Sequence, residues 1–296
     1  MSSKSKSKTF LLCYFFGVFG IHRFYLGKLL TGVLMLVTGG GFVVWWLIDL
    51  YRIVTGRFKD KQGGDLRTAP LDGEQANAGF WVRLSAFLVD GLVLGLIVIV
   101  FIELPLFGYL FNAGISLQPD DPAALAAVIP IFILASSAIT LLYVGYFVAL
   151  TAGKHQGTYG KRSMGIYVRS RSGDRIWIGG SLVRFVGYII SSIPLCLGFL
   201  MVAFQKKKLA LHDLIAGTEV VFGTPSEQAA SVEHDAVTEV LQPDELPGEI
   251  PDATPEPAPA PAGFDDIEVR PSRVPEILVG TGLVLIVGAM ALSYMR

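Results

Sequence analysis

The sequence predicts an all-α polytopic membrane protein. The chain has 296 residues, of which 52% are hydrophobic, and its mean hydropathy is +0.55. These values are too apolar for a soluble globular protein of this size. Several runs of about 20 apolar residues account for them, and each is long enough to form a membrane-spanning helix. We expect about five transmembrane helices, one re-entrant or interfacial hairpin and a small cytoplasmic β-sheet.

The net charge of −1 conceals two regions of opposite sign. Residues 224–274 contain 12 acidic and 2 basic side chains, whereas the rest of the chain contains 22 basic and 13 acidic side chains. The basic residues lie beside apolar segments, which favours anionic membrane lipid over nucleic acid as a partner. Residues 224–274 also contain nine prolines, so we expect a disordered tail that is available to a protein partner.

Alternating apolar and polar stretches divide the chain into five regions. They are a helical pair (1–56), a cytoplasmic linker (57–78), a membrane domain (79–223), the acidic proline-rich tail (224–274) and a C-terminal transmembrane anchor (275–296). The predicted spans lie at 9–22, 29–53, 80–104, 130–152 and 276–295. Pro105 is expected to end the third span, and the glycines at 39–41 are expected to allow either a kink in the second span or close packing between helices.

The distribution of Lys and Arg orients these spans. The N-terminus, the 57–78 linker and the basic loop at 153–183 are expected in the cytoplasm. The loop at 105–129 has no Lys or Arg and is expected outside. The C-terminus is then also outside, and we expect a multi-pass protein of the cell inner membrane.

Residues 184–204 are apolar enough to span, but basic residues lie at both ends and Pro194 interrupts the run. This pattern favours a re-entrant or interfacial hairpin over a span. The runs "GIYVRS" and "RIWIG" on either side of "RSGD" predict a β-hairpin. "GTEVVF" at 217–222 is a third β-rich run, and we expect it to pair with 166–169.

The first region resembles the TM-two (TM2) domain at "FGVFGIHRFYLGKLLTGVLMLVTGGGFVVWWLIDLYRI". Arg23, Phe24 and Asp49 match this pattern, whereas His22 stands where many members have Asp. The resemblance implies two membrane helices joined by a short loop. By the predicted orientation, His22 and Arg23 face the outside as interface anchors. Asp49 lies near the cytoplasmic end of its helix, where Arg52, three residues later, can pair with it.

The third region resembles the RDD family, which is named for one arginine and two aspartates. Arg83, Asp90 and Asp213 match these positions, and Arg184 matches a further recurrent arginine. "TYGKRSMGIYV" matches another run of the family, while Gln156 and the glycine after it reverse the usual order. The resemblance implies a membrane domain often suspected of transport, with sodium or lithium/proton exchange attributed to some members.

Asp90 is the costliest charge in the chain, because it lies in the middle of a predicted span. It is either a cation or proton site, whose carboxyl group exchanges a proton for an ion, or a structural latch. Arg83 either reaches lipid phosphate or pairs with Asp213. Asp213 is expected to cap or pin the return of the chain to the membrane, and Arg184 to bind lipid phosphate or an acidic side chain.

Transport of an ion or small solute, with Na⁺, Li⁺ or H⁺ exchanging at Asp90, is therefore the leading functional hypothesis. A homo-oligomer is expected, because the membrane body is small for a transporter. The alternative is a non-enzymatic scaffold or assembly factor that recruits a partner through the acidic tail. No enzyme activity, metal or cofactor is expected: no nucleophile–base pair is evident, and Cys13 and Cys196 lack metal-ligand spacing.

Overall fold

A computed structural model describes residues 2–69, 77–113 and 122–226. Almost all of the predicted acidic tail and the whole predicted C-terminal anchor lie outside these residues. The described part is mostly helical and contains one small sheet.

The N-terminal region is built from short helices. They are α1 (Lys6–Phe16), a 3₁₀ turn (Gly17–Phe19), α2 (Ile21–Tyr25), α3 (Leu29–Val37), α4 (Gly39–Phe42) and α5 (Val44–Val54). The predicted kink is confirmed, since Gly39, Gly40 and Gly41 have φ of +58°, +75° and +61°. Those values lie in the left-handed region that glycine adopts without strain. The predicted segment 29–53 is therefore not one continuous helix.

The chain reverses direction after α1. Gly20 has φ of +71°, and a Cβ at this position would lie 2.8 Å from the Gly32 carbonyl oxygen, so α2 and α3 approach closely only with glycine here. The hydroxyl oxygen of Tyr25 then accepts a hydrogen bond from the Ser5 N–H at 3.4 Å. Helix α2 consequently lies beside the beginning of α1 rather than at its far end.

The longest apolar run begins at Phe80. It comprises α6 (Phe80–Val98), a π-helical turn (Ile99–Glu103) and α7 (Leu104–Asn112), which together form one apolar helix of 33 residues. The prediction that Pro105 ends this helix is wrong. Pro105 occupies the first turn of α7, directly after the wider π turn, where the missing N–H and the bulky ring are accommodated.

Helix α8 (Pro122–Ala152) is the second long apolar helix, so much of the predicted loop at 105–129 is helical. Helices α10 (Ile178–Ser192) and α11 (Leu197–Phe204) follow, and they meet at an angle of 97°. The predicted break near Pro194 is therefore confirmed. Among the described residues, two helices are long and apolar enough to cross a membrane, or three if the bent pair is one span.

The sheet has two antiparallel strands, β1 (Ile166–Ser170) and β2 (Thr218–Phe222). The predicted pairing of 166–169 with 217–222 is confirmed, with Ile166 opposite Phe222 and Ser170 opposite Thr218. The predicted hairpin with "RIWIG" is wrong. Arg175 instead donates to the Ala152 carbonyl, at 2.8 Å from Nη2, and Ile176 enters the core, so this run lies against the end of α8.

The N-terminal and C-terminal parts of this body share one hydrophobic core. Phe10, Ile53 and Phe58 belong to the same buried cluster as Val89 and Val168. Part of the predicted linker therefore packs into the core, through Phe58.

One buried cation also connects the two parts. The Lys6 ammonium donates to the carbonyl oxygens of Val54, at 3.0 Å, and Ser163. Burial lowers the pKa of Lys6 to about 8. Helix α1 is thus fixed to the helix α9 (Tyr159–Ser163), which carries the site residues described below.

Candidate functional site: three buried aspartates

Three aspartate side chains in the described ranges are almost fully removed from solvent. Asp49, Asp90 and Asp213 are 0%, 1% and 0% exposed. A buried carboxylate is stable only with charged or hydrogen-bonding partners. The partners of the three groups differ in kind, and that difference distinguishes their roles.

Asp213 is held by two arginines. It lies in the first turn of the short helix α12 (Leu211–Ala216), where it accepts a hydrogen bond from the Ala210 N–H at 3.0 Å. One carboxylate oxygen pairs with Arg83 and the other with Arg184. The predicted capping role of Asp213 is confirmed. Of the two partners expected for Arg83 and for Arg184, an acidic side chain or a lipid phosphate, both arginines bind the acidic side chain.

Neighbouring groups fix the two arginines in place. Arg83 donates from Nε to the Ala78 carbonyl and from Nη2 to the Lys208 carbonyl, each at 2.8 Å. Arg184 also donates to the Thr218 hydroxyl and, at 3.2 Å, to the Tyr188 hydroxyl. This cluster therefore joins the start of α6, the middle of α10, α12 and β2.

The charges of this cluster control its protonation. Burial alone would raise the pKa of Asp213, but Arg184 and Arg83 outweigh burial and hold that pKa well below its usual range. Burial, together with the positive charge of Arg184, lowers the pKa of the adjacent His212 to about 2. Near neutral pH the cluster is thus two guanidinium groups, one carboxylate and a neutral imidazole.

Asp90 has only neutral hydrogen-bond donors. The Tyr146 hydroxyl and the Gly160 N–H donate to Oδ1 at 2.7 and 2.6 Å, and the Thr158 hydroxyl donates to Oδ2 at 2.6 Å. Asp90 forms no ion pair within the described ranges: no side-chain nitrogen of Lys, Arg or His lies within 4.0 Å of its carboxylate oxygens. The group is therefore latched in position but lacks a fixed countercharge.

The run "TYGKRS" places these donors. Thr158 caps α9, accepting from the Lys161 N–H at 3.4 Å, and α9 lies directly against α6. A Cβ on Gly160 would be 2.0 Å from the Ala86 carbonyl oxygen and 2.8 Å from Asp90 Cγ. Only glycine permits that approach, which explains the Thr-x-Gly spacing of the motif in physical terms.

Asp49 forms a separate polar centre in the N-terminal region. It accepts hydrogen bonds from Arg23 Nε and Nη2, at 2.6 and 2.8 Å, and lies 2.8 Å from His22 Nε2. The predicted Asp49–Arg52 pair is wrong. The prediction that His22 and Arg23 lie on the opposite side of the membrane from Asp49 is also wrong, because the reversal after α1 brings α2 back beside α5.

Phe24, the fourth predicted residue of this motif, has a packing role. A Cβ on Gly32 would lie 2.8 Å from Phe24 Cε1, so the ring lies on the face of α3 that glycine leaves open. The four motif residues thus hold the N-terminal helices together, and within the described part of the chain none of them forms an ion pair or hydrogen bond with Asp90 or Asp213.

An apolar cavity of about 560 Å³ lies beside both polar clusters of the third region. Its polar floor is formed by Arg83, Asp90, Lys161 and Arg184. Its wall is largely aromatic and includes Phe147, Phe185, Tyr188 and Phe199. Within the residues that the structure describes, no three His, Cys, Asp or Glu side chains are grouped so that they could hold a metal ion.

Sequence reasoning missed Tyr146, and it proposed Arg or backbone amides as partners of Asp90, of which the structure shows the Gly160 N–H and, in place of Arg, two hydroxyl groups. Tyr146 lies in the long apolar helix α8, and its hydroxyl donates a hydrogen bond to Asp90. A tyrosine in an apolar span is a weak signal, since the ring suits the lipid as well as the protein interior. Asp90 and Asp213, which the motif treats together, belong to two distinct clusters.

The long apolar helices and their buried polar clusters define an integral membrane protein. The RDD family profile matches residues 77–217, and the TM2 domain profile matches residues 2–51. The chain belongs to the RDD family and carries an N-terminal TM2 domain.

Three relatives illustrate these two relationships. The chain is 34% identical over 149 residues to the uncharacterized protein YxaI of Bacillus subtilis, covering 49% of this chain and 97% of the relative. It is 33% identical over 171 residues to the uncharacterized membrane protein YteJ of the same organism, covering 55% and 93%. A TM2 domain-containing protein of Dictyostelium discoideum is 50% identical over 60 residues, covering 20% and 39%. No solved structure matches the chain.

Proposed function

We propose that the RDD domain exchanges a small cation, Na⁺ or Li⁺, for a proton at Asp90. The observation that carries this proposal is the contrast between two buried carboxylates. Asp213 is neutralised by two arginines, whereas Asp90 is surrounded by the hydroxyl groups of Tyr146 and Thr158 and one N–H. A buried carboxylate without a fixed cation favours an exchangeable one, and a proton or an alkali ion satisfies that need.

The ligand set suits a hard cation. Alkali and alkaline-earth ions prefer oxygen ligands, and Asp90 brings two carboxylate oxygens beside two hydroxyl oxygens. On cation binding, the carboxyl proton leaves and the hydroxyl groups of Tyr146 and Thr158 rotate to present lone pairs. The Gly160 N–H keeps donating to Oδ1 in both states, so the carboxylate stays in place during the exchange.

Exchange predicts a specific response in everted membrane vesicles that contain the protein. A pulse of Na⁺ or Li⁺ should dissipate an imposed pH gradient with the wild-type protein and leave it largely intact with Asp90→Asn, because an amide cannot release the proton. The matched control is Glu103→Gln, the same chemical change at an exposed position of the same apolar helix. Equal responses from wild type and Asp90→Asn, at equal protein levels, would refute the exchange.

The proposal has consequences for placement and assembly. We place the protein in the cell inner membrane as a multi-pass protein, with its N-terminus in the cytoplasm and its C-terminus outside. The basic loop at 153–183 then faces anionic lipid headgroups, which attract nearby Lys and Arg.

We propose a homo-oligomer as the active form, because two or three spans in the described part enclose little space for an ion path. No enzymatic step is assigned to the protein.

A membrane scaffold is the second candidate function. It is favoured by the shared core and by the Lys6 contacts, which fix the TM2 domain to the RDD domain as one body. In this alternative, the buried charges only stabilise the body, and the acidic residues 224–274 recruit a protein partner.

Deletion of residues 224–274 separates the two candidates. Under the exchange proposal, the deletion leaves the cation-dependent loss of the pH gradient unchanged, because Asp90 and its donors lie outside the deleted region. Under the scaffold alternative, proteins that co-purify with the full chain disappear. Loss of exchange in the deletion variant, with normal membrane insertion, would contradict the placement of the exchange site at Asp90.

A further inference from the structure

The cavity beside the polar clusters combines an apolar wall with an excess of positive charge. Its volume of about 560 Å³ lies within the ~300–1,000 Å³ of pockets that hold small-molecule ligands. The aromatic rings form a continuous wall, with centroid distances of 6.4 Å from Phe147 to Phe185 and 5.9 Å from Tyr188 to Phe199. Such a wall suits a hydrocarbon chain and offers little to a hydrated ion.

Lys161 supplies a buried cation at one end of this wall. Its side chain is only 8% exposed, it lines the cavity, and its ammonium lies 5.9 Å from the centre of the Phe147 ring. Among the described residues, no carboxylate oxygen lies within 4.0 Å of the Lys161 ammonium, so this ammonium forms no ion pair there. A buried ammonium without such a partner is costly, which points to an anion from outside the chain.

The charges of the floor, counted together with Asp213, which pairs with two of its arginines, define that anion. Arg83, Lys161 and Arg184 carry three positive charges, and His212 is neutral near pH 7 because burial lowers its pKa. Asp213 and Asp90 carry two negative charges when both are ionised. The excess is then one positive charge, and it rises to two when Asp90 is protonated. A monoanion balances the ionised state, whereas a phosphate monoester, with about −1.5 to −2 charges, exceeds it.

We propose that this cavity binds a single-chain amphiphile with a carboxylate headgroup, of the fatty-acid type. The carboxylate pairs with the Lys161 ammonium, and the acyl chain lies along Phe147, Phe185 and Phe199 toward the bend between α10 and α11. Leu195 and Cys196 at that bend have φ of +49° and +63° and also line the cavity. Asp90 lines the same cavity, but the headgroup contact is made by the Lys161 ammonium, so substitutions of Lys161 test this binding without removing the carboxylate proposed for cation exchange.

Photo-crosslinking with palmitate tests this site directly. The full-length protein is placed in phosphatidylcholine nanodiscs with trace palmitate that carries a diazirine in its chain. Adducts should concentrate on residues of α10 and α11 that line the cavity. Excess palmitate should suppress them, and uncharged methyl palmitate should suppress them at least about tenfold less effectively, since a charge-assisted hydrogen bond contributes about 1.5–3 kcal/mol.

Three variants assign the effect to the headgroup contact. Lys161→Met should lower the adduct yield about tenfold, whereas Lys161→Arg, which keeps the charge, should restore most of it. Lys154→Met is the matched control, because Lys154 is an exposed lysine of the same basic loop, and it should label as the wild type does. Adducts spread over other apolar faces, equal suppression by methyl palmitate, or an equal loss with Lys154→Met would each overturn the proposal.

Discussion

Replacing Asp213 with asparagine is expected to be the most damaging conservative change in the described part of the chain. The amide removes the negative charge that two guanidinium groups share, and the Arg184 side chain is only 2% exposed. Removing one partner of a buried ion pair costs about 3–5 kcal/mol, because the remaining charge is left uncompensated. The expected result is a variant that accumulates at a lower level in the membrane and, once purified, unfolds at a clearly lower denaturant concentration than the wild type.

The control for this change is Glu219→Gln. Glu219 accepts a hydrogen bond from Arg169 at 2.7 Å, but both side chains of this pair are 17–18% exposed. More accessible ion pairs contribute about 0–1 kcal/mol, so the same carboxylate-to-amide change should be tolerated here. Unfolding of purified variants in mixed detergent micelles measures both costs, and equal losses would contradict the special role of Asp213.

The protonation of Asp213 adds a pH dependence of known sign. Its folded-state pKa is held below the ordinary value of 3.8, so its contribution to stability is fully present above that value. The contribution declines as the pH falls from 3.8 through the lower folded-state pKa. Across this window the wild type should lose more stability than Asp213→Asn, which has no carboxyl group to protonate at this position.

Replacing Gly160 with alanine is expected to have the second largest effect. The added Cβ would lie 2.0 Å from the Ala86 carbonyl oxygen, which belongs to the backbone of α6 and cannot rotate away. Helix α9 must therefore move, and the Gly160 N–H and Thr158 hydroxyl lose their contacts with Asp90. Overpacking of a well-packed interior lowers the free energy of unfolding by about 1–3 kcal/mol. We expect a loss at the upper end of this range, because the clash is with backbone and not with a side chain that can rotate.

Gly91→Ala is the matched control, because Gly91 neighbours Asp90 on α6 and its added Cβ would meet no atom within 4 Å. We expect Gly91→Ala to keep or slightly raise the thermal stability of the detergent-solubilised protein, and Gly160→Ala to lower it. Cation exchange should fall in Gly160→Ala as well, since its Asp90 donors are displaced. Wild-type stability in Gly160→Ala would contradict the close packing of α9 on α6.

The correct predictions rest on strong physical requirements, even where the partners are distant in sequence. Arg83 and Asp213 are 130 residues apart, but both charges require partners once they are buried, and they pair with each other. Pro194 broke an apolar run with basic ends, which predicted the sharp bend between α10 and α11. The β-rich run at 217–222 found its predicted partner at 166–170, because both strands present apolar residues to the core.

Two of the wrong predictions were overturned by contacts between residues distant in sequence, and one by local helix geometry. Spacing alone suggested Arg52 as the partner of Asp49, but the left-handed turn at Gly20 brings Arg23 closer. Local β-propensity suggested a hairpin, but Ile176 is buried in the core instead. Pro105 appeared to end a helix, and a π turn accommodated it. The first two outcomes do not follow from a pattern of neighbouring residues, because tertiary packing decided them.

The two RDD aspartates have different structural roles, and this difference is the basis of the functional account. Asp213 is permanently paired with Arg83 and Arg184 and holds four elements together. Asp90 is held by three neutral donors that remain compatible with either a proton or an alkali ion. A family motif of one arginine and two aspartates therefore divides into an ion cluster around Asp213 and one carboxyl group with neutral donors, at which we propose the exchange.

Proton release from the purified protein tests this claim most directly. The full-length wild type, in weakly buffered detergent solution, should release up to about one proton per chain when Na⁺ or Li⁺ is added, because the cation displaces the carboxyl proton of Asp90. Glu103→Gln should release the same amount, and Asp90→Asn should release none. No release from the wild type, or the same release from Asp90→Asn, would contradict the account.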